Sequence, residues 1–182
     1  LHVCDRNLEE IKPGDITNAN FLVDVLLAAK YEGESIRNEY DQKKDDYKSG
    51  LCTVLARSFA DIGDIVRGKD LYLGNKKKNE KDREKEKLQT NLKNIFAKIH
   101  GTLPEEKNSA YLKDGPNYYK LREHWWNANR KEVWKAITCN VPDDAKYLEE
   151  SDGSQSGSHQ TKCRSHNAEV LTNFDYVPQY LR

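Results

Sequence analysis

Apolar residues recur at helical spacing in four stretches of the chain. Leu55, Phe59, Ile62 and Val66 lie three or four apart, with Arg57, Asp61 and Asp64 between them, which predicts an amphipathic helix. Cys52 opens this segment and Gly68 can close it in the left-handed conformation that ends helices. Phe21, Val25, Leu26 and Ala29 form one face of a second helix running from Phe21 to Tyr31, capped by Asp15 or Thr17. Leu88, Leu92, Ile95, Phe96 and Ile99 predict a third, ending near Gly101. The fourth, Tyr118 to Thr138, carries every tryptophan of the chain. Trp125 and Trp126 are adjacent and cannot face the same way on a helix, so one of them is expected to be partly exposed. Trp134 is expected to share the buried stripe with Ile137.

Between these stretches the pattern is polar. Glu34 to Lys48 is dense in charge with Ile36, Tyr40 and Tyr47 spaced along it, which reads as a solvated helix reaching toward Gly50. Leu71 to Asn75 reads as a short extended or turn segment. Lys76 to Lys87 reads as an exposed loop or the first turns of a helix. Pro104, Gly115 and Pro116 punctuate a loop from Thr102 to Gly115. Residues 143–165 include SDGSQSGSH, a composition typical of a flexible surface loop. Tyr176 and Leu181 then resume an apolar pattern. Nowhere does strict alternation run long enough for a sheet, so the predicted class is all-α: a mainly helical bundle with long loops, one domain over residues 1–182.

Composition adjusts this picture in three ways. A chain of 182 residues can bury a core, and 36% apolar against 33% charged residues is polar without being disordered in pattern. Thirty basic residues balance thirty acidic ones, so total charge does not point to nucleic acid. No stretch is long and apolar enough to cross a membrane. The absence of methionine predicts a piece excised from a longer protein, truncated at both ends.

Candidate chemistry is sparse. Asp61 and Asp64 lie three apart and could share acid–base work; acids among apolar helix positions more commonly pair with arginines, here Arg57, Arg67 or Arg130, to orient packed helices. His159, Cys163 and His166, with Cys139 as a fourth, match no metal-ligand spacing. No phosphate-cradling glycine loop occurs. No catalytic residue, metal or cofactor is assigned. Cys4, Cys52, Cys139 and Cys163 lack C-x-x-C spacing, which favours at least one disulfide in an exported protein.

The best polyanion candidate is the cluster Lys76, Lys77, Lys78, Lys81, Arg83, Lys85 and Lys87. Four interleaved acids reduce its seven positive charges to about +3, and such a patch would hold sulfates by salt-sensitive contacts. Arg122, Arg130 and Lys131 on the tryptophan-bearing helix form a second basic group.

The segments LARSFADIGDIVRG, HWWNANRKEVWKAITC and FDYVPQYLR, in that order, together with LHVCDRNLEEI at the start, resemble the Duffy-binding-like domain of the malaria parasite's erythrocyte membrane protein family, most closely its alpha type. The resemblance covers essentially the whole chain. It implies a Duffy-binding-like helical fold and no catalysis. It implies adhesion to a host red-cell or endothelial receptor, with a sulfated glycosaminoglycan such as heparan sulfate, a blood-group glycan or a complement receptor as candidate classes. It further implies cytoadherence or rosetting, antigenic variation that meets host antibodies, and placement on the outer face of the infected red cell, the anchor lying outside this piece. For the cysteines it implies that Cys4 bonds upstream of Leu1 and that Cys52 bonds to Cys163 or Cys139, with Cys163 preferred. Many alpha-type domains carry further cysteines between the AITC and final aromatic motifs, where this chain has Cys163 alone. A second class of function is a structural or antigenic segment that binds no receptor without neighbouring subdomains.

Overall fold

The structure is a computed structural model, and it describes residues 17–42, 50–70, 80–143, 145, 163–164, 170 and 172–182, the side chains of 80–83 excepted. The readings of Cys4, of Leu71 to Lys78, of the end of the charged segment at 43–49, and of most of the 143–165 loop lie outside them.

Helix α1 spans Asn18–Gln42. Thr17 starts it, its hydroxyl accepting the Asn20 N–H at 3.2 Å. The two segments expected on either side of Gly33 are one continuous helix. Gly33 sits inside it because the neighbouring helix passes so close that a Cβ there would lie 1.9 Å from the Ile137 carbonyl oxygen. Helix α2 spans Leu51–Arg67 and ends at Gly68, whose φ of 72° is the left-handed value expected. Helix α3, Glu80–Thr102, begins inside the charged stretch, two turns ahead of the first apolar position at Leu88. A short helix α4, Glu105–Asn108, and a 3-10 turn, Ser109–Tyr111, lie where a loop is expected. Helix α5 spans Tyr119–Ile137. Two 3-10 turns, Phe174–Tyr176 and Gln179–Leu181, form a C-terminal strap. Among the described residues there is no strand, and Arg164 and Val170 make an isolated bridge. The fold is all-α, as the periodicity implies.

Helix α5 is the middle of the bundle, with α1 and α2 packed against it. That position explains why the expectation of an exposed tryptophan fails. Trp125 faces Phe21 and Phe96, with ring centroids 4.7 and 6.1 Å away. Trp126 faces the other way, onto Phe59 at 5.1 Å, and Trp134 meets the same ring at 5.2 Å. Adjacent residues on a helix point apart, but a helix with neighbours on both sides buries both. Trp134 and Ile137 are buried as expected. Each indole also donates a hydrogen bond: Trp125 to Asn18, Trp126 to Asp175 and Trp134 to the Cys163 carbonyl.

Cys52 is bonded to Cys163, with Cα atoms 5.4 Å apart. Cys139 is a free, exposed thiol. Of the two partners open to Cys52, Cys163 holds.

Candidate functional site

The three long motifs meet in a buried charge network rather than at a surface. On α2, Arg67 is almost fully enclosed; its Nη2 donates to Asp64 at 3.0 Å, its Nη1 to Glu123 at 3.3 Å, and its Nε to the Gly63 carbonyl at 2.9 Å. The same guanidinium reaches the Asp175 carbonyl of the strap. On α5, Arg130 forks onto both carboxylate oxygens of Asp175 at 2.8 Å each, a bidentate pairing that fixes orientation as well as charge. Arg182, the last residue, donates to Asp61 at 3.0 Å and to Asp64. Lys69 meets Glu123 at 2.5 Å. Four carboxylates, Asp61, Asp64, Glu123 and Asp175, therefore face four cations, Arg67, Lys69, Arg130 and Arg182.

Burial pushes the Asp61 and Asp64 carboxyls above the usual aspartate value, and the opposing arginines offset only part of that. Glu123 goes the other way: burial would raise it, but Lys69 and Arg67 together hold it below the usual glutamate range. Every carboxylate is committed to a cation, which is the arrangement of a structural clasp rather than of a proton-transfer pair. Pairing of Asp64 with Arg67 follows the sequence expectation. Arg130 serves Asp175 instead, Arg57 is exposed, and Arg182 supplies what Asp61 needs. Two acids set among apolar positions signal a demand for cations, but not that one lies 121 residues away.

Arg122 is 0% exposed. Its Nε donates to the Val66 carbonyl at 2.5 Å and its Nη2 to the Ile65 carbonyl at 3.0 Å and to Gln89 at 2.9 Å. The guanidinium thus caps the C-terminal end of α2 from a neighbouring helix, where the helix dipole favours a cation. Burial lowers its pKa to about 10.

These positions revise the basic groups expected at the surface. Arg122 and Arg130 are turned inward and committed, so they cannot form a polyanion patch with Lys131, which alone of the three is exposed. Of the larger cluster, Lys76, Lys77 and Lys78 lie outside the described residues, and Lys81 and Arg83 fall on the first turns of α3. Lys85 is 3.5 Å from Asp70, and Lys87 is exposed. Among the described residues no group of three or more His, Cys, Asp and Glu side chains could hold a metal ion, and no helix is long and apolar enough to cross a membrane.

Comparison with known proteins places this geometry. The family model described as the Duffy binding domain matches residues 1–182. The Duffy receptor gamma form of Plasmodium knowlesi is 26% identical over 142 residues, covering 72% of this chain and 11% of that protein. Among solved structures, the N-terminal NTS-DBL1-alpha and CIDR-gamma double domain of PfEMP1 from Plasmodium falciparum superposes with a TM-score of 0.77 at 43% identity, covering 99% of this chain and 25% of that one. A DBLβ domain of PfEMP1 bound to human ICAM-1 gives 0.64 at 33%, covering all of this chain and 34% of that one. An ICAM-1-binding PfEMP1 DBLβ domain gives 0.69 at 33%, again over the whole chain and 39% of the other. The chain spans about a tenth of the curated relative's length and between 25% and 39% of these solved chains.

Proposed function

The chain belongs to the Duffy binding domain family, a family of receptor-binding rather than catalytic domains, and from that membership we propose that it is part of an adhesion module, of alpha type, on a variant surface antigen of the malaria parasite. The observation that carries the reading is the match over all 182 residues to the family model, supported by the 43% identity to an alpha-type domain. Its partner is a host red-cell or endothelial surface receptor. Cytoadherence or rosetting is the cellular outcome, and the outer face of the infected red cell is the location, with host antibodies as the second class of partner. The ICAM-1 bound by two of the similar domains makes a protein receptor one option and a sulfated glycosaminoglycan or blood-group glycan the other.

Recognition on this reading resides outside the clasp. The apolar and clasp residues of the motifs are consumed in the interior, so they support the scaffold, while exposed motif positions such as Arg57 and Lys131 and the segments between motifs supply the surface. The basic stretch from Lys76 to Lys87, without Arg122 and Arg130, is the proposed polyanion contact, and Lys131 is a separate exposed cation. Host-receptor binding by this chain is tested by retention on heparin and on red cells at low and at physiological salt. Retention that falls as salt rises, and falls further when Lys76, Lys77, Lys78 and Lys87 are neutralised, supports the polyanion contact; unchanged retention removes it.

The share of the solved chains left uncovered favours a second reading, a segment that binds no receptor without its neighbouring subdomains. Binding by a complete domain with none by these 182 residues would decide for it.

A further inference from the structure

The C-terminal strap is attached to the bundle by charge and hydrogen bonds far more than by apolar burial. Over residues 172–182 the buried positions are polar, Thr172 and Asp175, joined by the side chain of Arg182. Tyr176, Tyr180 and Leu181 are exposed, and Phe174 is partly buried against the core. Helix α5 is the opposite case, with Trp125, Trp126, Val133, Trp134 and Ile137 all buried. Asp175 is the centre of the attachment. Its Oδ2 accepts the Trp126 indole N–H at 2.9 Å and Arg130 Nε at 2.8 Å, its Oδ1 accepts Arg130 Nη2 at 2.8 Å, and its carbonyl accepts Arg67. Around it, Arg130 donates to the Thr172 carbonyl at 3.0 Å, Tyr176 donates to Asn127 at 2.8 Å, and Arg182 reaches Asp61 and Asp64.

Water treats the two kinds of attachment differently. Apolar surface loses when it is exposed again, whereas a buried ion pair recovers the hydration of both ions as it parts, so its net contribution is close to balanced. A segment held mainly by such pairs closes with a small surplus, and segments of that kind open ahead of the rest of a fold. Opening here strands no charge in the interior: Arg67 keeps Asp64 and Glu123, and Arg130 is already partly exposed. We infer that residues 172–182 are an electrostatic strap that opens and recloses as one unit while α1, α2 and α5 stay packed, and that Asp175 holds it shut. One residue makes the bonds to Arg67, Trp126 and Arg130, so they break together. The strap's opening depends on no receptor, so it stands or falls apart from the adhesion reading.

Native-state hydrogen exchange, read by NMR at urea concentrations below the unfolding transition, tests it. The strap reporters are the Trp126 indole N–H and the amides of Tyr176 and Val177, which bond the Asn173 and Phe174 carbonyls; the Val133 amide reports α5. The three strap reporters should share one protection factor, about thirtyfold or more below that of Val133, with a shallower dependence on urea. Protection equal to that of Val133 overturns the strap, since it then opens only when the whole chain unfolds. Fast amides over a slow Trp126 indole overturn it as well, because the turn then frays without releasing Asp175. Ile137→Val, in the core of α5, should speed Val133 by about threefold and leave the strap reporters unchanged; an equal effect on both sets overturns the inference. Asp175→Asn should speed the strap reporters by about tenfold or more, and unchanged exchange there removes Asp175 from its role. Should Asp175→Asn fail to fold, the unsubstituted chain and Ile137→Val still decide.

Discussion

Arg182 donates from Nη1 to Asp61 Oδ1 at 3.0 Å, joining the last residue of the chain to the middle of α2. The same guanidinium reaches Asp64, and its Nε returns to the Val177 carbonyl at 2.9 Å, which sets its direction along the strap. Its side chain is 4% exposed. The strap therefore places a buried cation against one buried carboxylate, Asp64, and one partly exposed carboxylate, Asp61, on another element.

Removing one partner of a buried pair leaves the other without compensation, a loss of about 3 to 5 kcal/mol. Arg182→Ala leaves both Asp61 and Asp64 short, so its urea midpoint should fall by more than that of Lys135→Ala, whose pair with Glu132 is on the surface and is worth under about 1 kcal/mol. Asp61→Asn with Arg182 retained should lose less than Arg182→Ala, because Asp64 still holds the guanidinium. Equal losses for Arg182→Ala and Lys135→Ala would remove the clasp from the account of stability.

Much of this arrangement was legible before any coordinates. The three-and-four spacing at Leu55, Phe59, Ile62 and Val66 and the glycine at position 68 contain the extent of α2. What spacing cannot convey is which elements flank a helix. Trp125 and Trp126 are both buried because α5 has neighbours on two sides, and a single-helix pattern describes only one. Charge in sequence is similarly blind to direction. Arg122 and Arg130 read as surface cations until α2 and the strap are placed against them. The start of α3 inside the charged run shows the converse, that alternating acids and bases carry a helix past the end of its apolar stripe.

Two helix-interior glycines sit at close approaches to α5, and they should respond differently to alanine. In a helix interior Gly→Ala alone stabilises by about 1 kcal/mol. At Gly63 the added Cβ would lie 2.8 Å from two atoms of the buried Trp126 ring, a clash with a side chain rather than with backbone. At Gly33 it would lie 1.9 Å from the Ile137 carbonyl oxygen, and backbone cannot yield without separating α1 from α5. Gly33→Ala should therefore be the more damaging, exceeding the usual overpacking loss of about 1 to 3 kcal/mol, while Gly63→Ala falls within it. Thermal unfolding of the two variants, with circular dichroism to confirm helicity, gives the order directly.

Reduction should separate the roles of the cysteines. Cys52–Cys163 closes a loop 111 residues long, for which chain entropy gives about 4 to 5 kcal/mol of stabilisation. The paired substitution Cys52→Ala with Cys163→Ala should lower stability by an amount of that order and make the protein insensitive to reductant. Cys139→Ser, at an exposed free thiol, should leave both the midpoint and the response to reductant as they were. A large loss from Cys139→Ser would mean that the thiol is bonded in solution.

The pH dependence of stability should carry two opposed contributions. Asp61 and Asp64 have folded values raised above 3.8, chiefly by burial. In the window just above 3.8 the folded state therefore binds more protons than the unfolded state, and stability from this pair rises as pH falls through it. Glu123 is held below its ordinary 4.5 because Lys69 and Arg67 outweigh its burial. Its contribution is present above 4.5 and is lost as pH falls through the folded value. Urea midpoints measured from pH 7 down to pH 3 should thus show a smaller acid loss than the glutamate alone would produce. Glu123→Gln should leave the gain from the aspartates visible as a rise on acidification. Asp61→Asn should shrink that rise, since one of its two sources is gone while Arg182 keeps its bond to Asp64. A Glu123→Gln profile that falls monotonically from pH 6 to pH 4 would show that the buried aspartates titrate at ordinary values and that the clasp is open to water.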